Sequence, residues 1–137
     1  MNDIPHVPVS WGELLDKIAI LEIKRERIAS RAAQANVAHE LGLLEQIATP
    51  IAARVDLTDL IGDLRDVNAA LWEIEDAIRV EDRAGRFGEE FIALARSVYQ
   101  RNDERAAIKR AINARLGSAL VEEKSYADHG RQAQAAE

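Results

Sequence analysis

One helix-length stretch of this chain carries two stripes side by side, and any fold must give each of them a neighbour. Leu57, Leu60, Leu64, Val67, Leu71, Ile74 and Ile78 recur at alternating steps of three and four residues, the spacing of a bundle core. Beside them, at the same helical spacing, run Asn68, Trp72, Glu75, Asp76 and Arg79. A face meant only for water needs neither tryptophan nor asparagine. The second stripe is therefore expected to meet something more specific than solvent.

The rest of the chain agrees with helices. Hydrophobic residues make up 47% and charged residues 31%, with only seven glycines and three prolines, so the expected class is all-α. At 137 residues the chain suits one domain, able to bury roughly two thirds of its unfolded surface. The absence of cysteine removes disulfides, thiolate nucleophiles and cysteine metal sites together. No segment reaches the ~18 uncharged apolar residues of a spanning helix, and no basic stretch leads into an apolar run at the start; the expectation is no membrane insertion and a cytoplasmic location. A net charge of -6 argues against nucleic acid as the main partner.

Residues 1–9, with Pro5 and Pro8, read as an extended arm, and residues 10–126 as the single helical domain. Ser10 and Glu13 have the spacing of a capping box, which predicts a helix from Trp11 with Leu14, Ile18, Leu21 and Ile28 inward and Trp11 packing on Leu15. That helix should weaken around Ser30 to Asn36. A second helix is predicted over 37–48 with Leu41, Leu44 and Ile47 inward, interrupted by Thr49 and Pro50. The third covers 58–83, and Gly85 and Gly88 supply the turn into a fourth over 89–116 that stops at Gly117. The fourth helix's apolar stripe, Phe91, Leu94, Val98, Ile108 and Ile112, is interrupted at Arg101 and Arg105. Ala119, Leu120, Val121 and Tyr126 give residues 118–126 apolar surface enough to pack as a C-terminal strap. Residues 127–137 have nothing to bury and are predicted to be a mobile tail.

Charge suggests how the long helices pair. Residues 58–83 hold eight acidic and three basic side chains, and residues 96–115 hold six basic and two acidic. Two helices joined by a short turn lie antiparallel, so interhelical ion pairs are one explanation of this polarity. A pocket is another. Tyr99, Asn102, Asp103, Arg110 and Asn113 share a face of the fourth helix and would oppose the Asn68–Arg79 stripe. Arg79, Arg101, Arg105 and Lys109 would then bring charge to a polar or anionic ligand, Asn68, Asn102 and Asn113 direction, and Trp72 a stacking face. A third reading takes Glu13, Asp16, Glu73 and Asp76, two E-x-x-D pairs, as four oxygen ligands for Mg²⁺, in the manner of the all-α nucleoside triphosphate pyrophosphatases. His6, His39 and His129 are too scattered for a histidine metal site, and no P-loop or dinucleotide fingerprint occurs.

The segments Val9–Lys17, Val67–Asp76 and Leu120–Tyr126, with Tyr99–Arg105 and Ile108–Asn113, resemble an uncharacterised bacterial family of small helical proteins, a domain of unknown function. The resemblance implies a loose association with surface-polysaccharide and glycosyltransferase gene neighbourhoods, and it carries over no catalytic residue. The expectation is an antiparallel helical bundle of about four helices with a C-terminal strap. Long amphipathic helices without a complete partner point to a homodimer. In function it is expected to be a binding or accessory module, leaning away from enzymes, with the Mg²⁺-dependent hydrolase and a purely structural dimerisation module as alternatives.

Overall fold

In a computed structural model of the protein, residues 3–120 and 122–125 are described; the predicted tail, Val121 and Tyr126 lie outside them. Four helices follow one another: α1 (Trp11–Arg27), α2 (Arg31–Ala52), α3 (Thr58–Arg83) and α4 (Glu89–Leu116), with no strand among the described residues. The all-α bundle is as the periodicity predicts.

The helix ends follow local chemistry. The Ser10 hydroxyl accepts the Glu13 N–H at 3.1 Å and starts α1. Glu13 does not complete a capping box, because its carboxylate is taken by Lys109. Ser30 accepts from Ala33 and starts α2 six residues before its predicted beginning, so the stretch expected to be weak is helical. Pro50 lies inside the last turn of α2 and does not interrupt it; its missing N–H removes one i→i−4 hydrogen bond, and the helix ends two residues later at Ala52. The buried stripe of α2 is Val37, Leu41 and Ala48, and Ile47, predicted inward, is exposed. Asp56 accepts from the Thr58 N–H to open α3. Gly85, at φ +69°, makes the turn into α4, and Gly117, at φ +62°, ends it in the left-handed region that a side chain would strain.

α1 is the hub. It packs against α2, α3 and α4, whereas α2 lies against α1 alone. Leu41, Leu64 and Ile112 form the deepest part of the core, one each from α2, α3 and α4, surrounded by Leu14, Leu15, Ile18 and Leu21 of α1. α3 and α4 form an antiparallel hairpin whose open ends are tied by Arg115 and Asp59 at 2.7 Å. α1 lies along the hairpin from Gly12, beside Asn113, to Arg27, beside Trp72 and Glu73. Beyond that point no described element covers the hairpin. From Ala69 to Arg105 no residue is fully buried, so the upper half of the apolar stripe, Leu71, Ile74 and Ile78, is only half-covered.

The ion pairs correct the charge argument. Among the described residues, Asp59 with Arg115 is the one ion pair between α3 and α4. Other charges turn to α1, Lys109 to Glu13, Arg105 to Asp16, Arg65 to Glu22 and Glu26, and Glu73 to Arg27, while Arg79 with Glu75 and Arg101 with Glu104 pair within their own helices. A helix inserted along the hairpin reaches these side chains before the opposite long helix does. The strap is held by polarity as well: Ala119 and Leu120 are exposed, and Glu122 fastens it to Lys109 at 2.7 Å.

Candidate functional site

Where α1 runs out, the three helices leave a groove of about 310 Å³. Its apolar wall is Ile20 and Ile23 of α1 with Leu71 and Trp72 of α3. Its polar wall is Asn68, Glu75, Asp76 and Arg79 of α3 with Asn102 and Arg105 of α4. Steps of three and four along α3 carry the polar stripe up one side, and Asn102 and Arg105, three residues apart, close it from the other.

The floor of the groove is preorganised. Asp16, 4% exposed, accepts the Asn68 amide at 2.8 Å, and Asn68 gives its other proton to the Leu64 carbonyl at 3.0 Å. The Asn68 oxygen accepts from Arg105 Nη1 at 3.3 Å, and Arg105 Nε stands 3.9 Å from Asp16. Asn68 thus has its acceptor and both donor protons engaged, and its network fixes the guanidinium of Arg105 at the edge of the groove. Higher up, the side chains are freer. Asn102 and Asp76 have no hydrogen-bond or ion-pair partner among the described residues, and Glu75 meets Arg79 only at 3.8 Å. Trp72 is braced by the Arg27 guanidinium, 5.9 Å from its ring centroid, while Arg27 also binds Glu73.

Six of the residues expected at the site stand elsewhere. Tyr99 is 54% exposed above the groove, Arg101 is paired with Glu104 at 3.1 Å, and Asp103 and Arg110 are exposed on α4. Lys109 and Asn113 are buried under the start of α1, where they do structural work. Asn113 Oδ1 accepts the Gly12 N–H at 2.7 Å, and Lys109 Nζ lies 2.7 Å from both Glu13 and Glu122. Burial disfavours the Lys109 ammonium, but hydrogen bonds to Glu122 and Glu13 outweigh it and hold its pKa above the ordinary lysine value. The hydrogen bond from Lys109 holds the Glu122 carboxyl below its usual range. The four carboxylates considered for Mg²⁺ do not make one ligand set: Glu13 serves Lys109, Asp16 serves Asn68 and Arg105, and Glu73 serves Arg27. Among the described residues, no group of three or more His, Cys, Asp or Glu side chains is placed to hold a metal ion.

The residues that sequence reasoning missed are the α1 wall and Gly12. Ile20 and Ile23 lie off the Leu14–Ile18–Leu21 stripe, and that surplus of apolar residues is the signal that α1 meets neighbours on two sides. Gly12 has no such signal. A Cβ there would stand 2.5 Å from the Lys109 carbonyl oxygen, so α1 and α4 touch backbone to backbone.

Fold and groove together define a small all-α protein with a polar cleft at the side of a helical hairpin. The chain belongs to DUF6165, a family of unknown function, whose model matches residues 5–132. No curated protein and no solved structure matches it. No helix among the described residues is long and apolar enough to cross a membrane.

Proposed function

We propose that the protein is a binding or accessory module whose side groove takes a hydroxyl-rich, anionic ligand of the sugar-phosphate or sugar-nucleotide kind. The observation that carries this reading is the pairing of one aromatic wall with a ring of planar polar side chains. A sugar ring has an apolar C–H face suited to Trp72. Its neighbouring hydroxyls each donate and accept, which suits Asn102, Asp76 and Glu75. Arg105, held in place by Asp16 and Asn68, and Arg79 offer the positive charge an anionic group needs. The unpartnered Asn102 amide fits a group kept for a ligand better than one kept for the fold. The surface-polysaccharide context implied by the sequence resemblance agrees with this ligand class. On this reading the module acts in the cytoplasm, as a homodimer, and presents a ligand to other proteins without transforming it.

The test is titration of Trp fluorescence and thermal stability with sugar phosphates and sugar nucleotides, each with and without Mg²⁺. Binding without Mg²⁺, lost in Asn102→Ala and in Trp72→Phe while the unliganded melting temperature holds, is the expected result. A response that requires Mg²⁺ and yields a hydrolysed product would replace this reading with the hydrolase.

A further inference from the structure

The seam of α4 that α1 covers is only half covered. Ile92, Ala95, Tyr99, Asn102, Ala106, Lys109 and Asn113 recur at steps of three and four along one side of α4. α1 buries Ala106, Lys109 and Asn113. Higher up, Ile92 and Tyr99 are each 54% exposed, and no described residue buries them. Val80 and Phe87 add to the exposed apolar surface near the hairpin tip. A hairpin with no fully buried residue between Ala69 and Arg105 lacks a neighbour along this half among the described residues.

A second set of apolar side chains is equally exposed. Ile4, Val7 and Val9 of the N-terminal arm stand in water, Val7 at 72%. Apart from Ile47 and Leu120, every exposed large hydrophobic among the described residues belongs to the arm or to the upper hairpin. These sets lie at opposite ends of the molecule. The arm leaves from Ser10, at the end where Gly12 meets Asn113 and Trp11 meets Ser118. From Ser10, Val7 can reach about 10 Å even fully extended. Tyr99 lies about 21 Å up α4 from Asn113, at 1.5 Å per residue. Within one copy, Val7 cannot cover Tyr99.

We infer that the upper half of the α3–α4 hairpin is an interface with a second copy of this chain, and that the partner's N-terminal arm lies along it. In an antiparallel two-fold pair, the arm end of each copy stands beside the hairpin tip of the other, so each arm meets the surface it lacks at home. Both exposed sets are then covered twice by one contact. The inference rests on the homodimer of the preceding reading and is independent of the glycosyl ligand.

The chain has no cysteine, which makes the test direct. Val7→Cys/Tyr99→Cys, mildly oxidised, is expected to run as a covalent dimer on a non-reducing gel, with mass spectrometry linking positions 7 and 99. In the full chain, Val7→Glu should weaken the dimer at least tenfold by light scattering over a dilution series, at unchanged helix content. A dimer that forms no 7–99 bond and ignores Val7→Glu overturns the arm contact while the dimer stands. An intramolecular 7–99 bond, or a monomer at every concentration, also overturns it, the latter together with the homodimer.

Discussion

Replacing Gly12 by alanine should be among the most damaging single-methyl changes in this protein, although alanine is the better helix former. The added Cβ would lie 2.5 Å from the Lys109 carbonyl oxygen and 3.0 Å from Asn113 Oδ1. Neither neighbour can step aside: one is backbone in the middle of α4, and the other is 3% exposed and holds the Gly12 N–H at 2.7 Å. Restoring an ordinary contact moves the start of α1 outward by about 1 Å. Overpacking of this kind costs about 2 kcal/mol. Stretching the buried Gly12–Asn113 hydrogen bond adds about 2 kcal/mol, because both groups lose a partner out of reach of water. The helix propensity of alanine returns at most about 1 kcal/mol. The net loss is about 3 kcal/mol, which for a domain of this size lowers the melting temperature by roughly 12 °C. Thermal and urea unfolding followed by circular dichroism measures it. Gly42→Ala is the internal control: no atom lies within 4 Å of the new Cβ, so the same substitution should stabilise α2 by about 0.5 to 1 kcal/mol. If Gly12→Ala melts at or above the unsubstituted protein, the close crossing of α1 and α4 is wrong.

Other outcomes follow from the same contacts. Asn68→Ala should cost about 2 kcal/mol in urea unfolding, since it strips a donor from the buried Asp16 carboxylate and the acceptor from Arg105. Asn102→Ala should change stability by less than about 0.5 kcal/mol, as expected away from packed or bonded sites; a large loss would mean the amide belongs to the fold. Glu122 titrates below its ordinary value of 4.5 because of the hydrogen bond from Lys109, so the folded state binds that proton less readily than the unfolded chain. Its contribution is present above that ordinary value and is lost as pH falls through the lowered one. Between about pH 6 and about pH 3 the melting temperature should therefore fall less in Glu122→Gln than in the unsubstituted protein. Equal slopes would detach the strap from Lys109.

Periodicity told which residues share a helix face but not which neighbour the face meets, and that divides what the sequence revealed from what it hid. The ends of α3 and α4 were legible because Gly85 and Gly117 are needed at left-handed backbone angles. The polar stripe from Asn68 to Arg79 was legible as a unit because a helix keeps such residues on one side whatever lies opposite. Their neighbour was not. Net charges on α3 and α4 suggested pairing across the hairpin, yet Arg105 and Lys109 reach Asp16 and Glu13 instead. The spacing of α1's own acids, Glu13 and Asp16, fits a cap and a metal site and gives no sign of these partners. The α2 boundaries were missed for a local reason: Ser30 caps the helix ahead of the stretch expected to be weak, and the helix runs two residues past Pro50 before it ends.

The groove follows from lengths as much as from residue types. α3 carries two stripes: α1 packs on Leu60 and Leu64 of the apolar one and its Asp16 reaches Asn68 of the polar one, where Arg105 of α4 meets it as well. α1 ends at Arg27, beside Trp72, while α3 runs on to Arg83. Below that level the polar stripe is consumed by the fold, and Asn68 is bonded on every side. Above it the same stripe has outrun its neighbour, and Asp76 and Asn102 are left with nothing to bind among the described residues. Lengthening α1 by one turn after Arg27 with alanines would extend it about 5 Å over Trp72 and the groove. If the groove is a ligand site, that insertion should abolish binding while leaving Asp16, Asn68 and Arg105, and so most of the stability, in place. Undiminished binding in the lengthened protein would show that the ligand is held elsewhere.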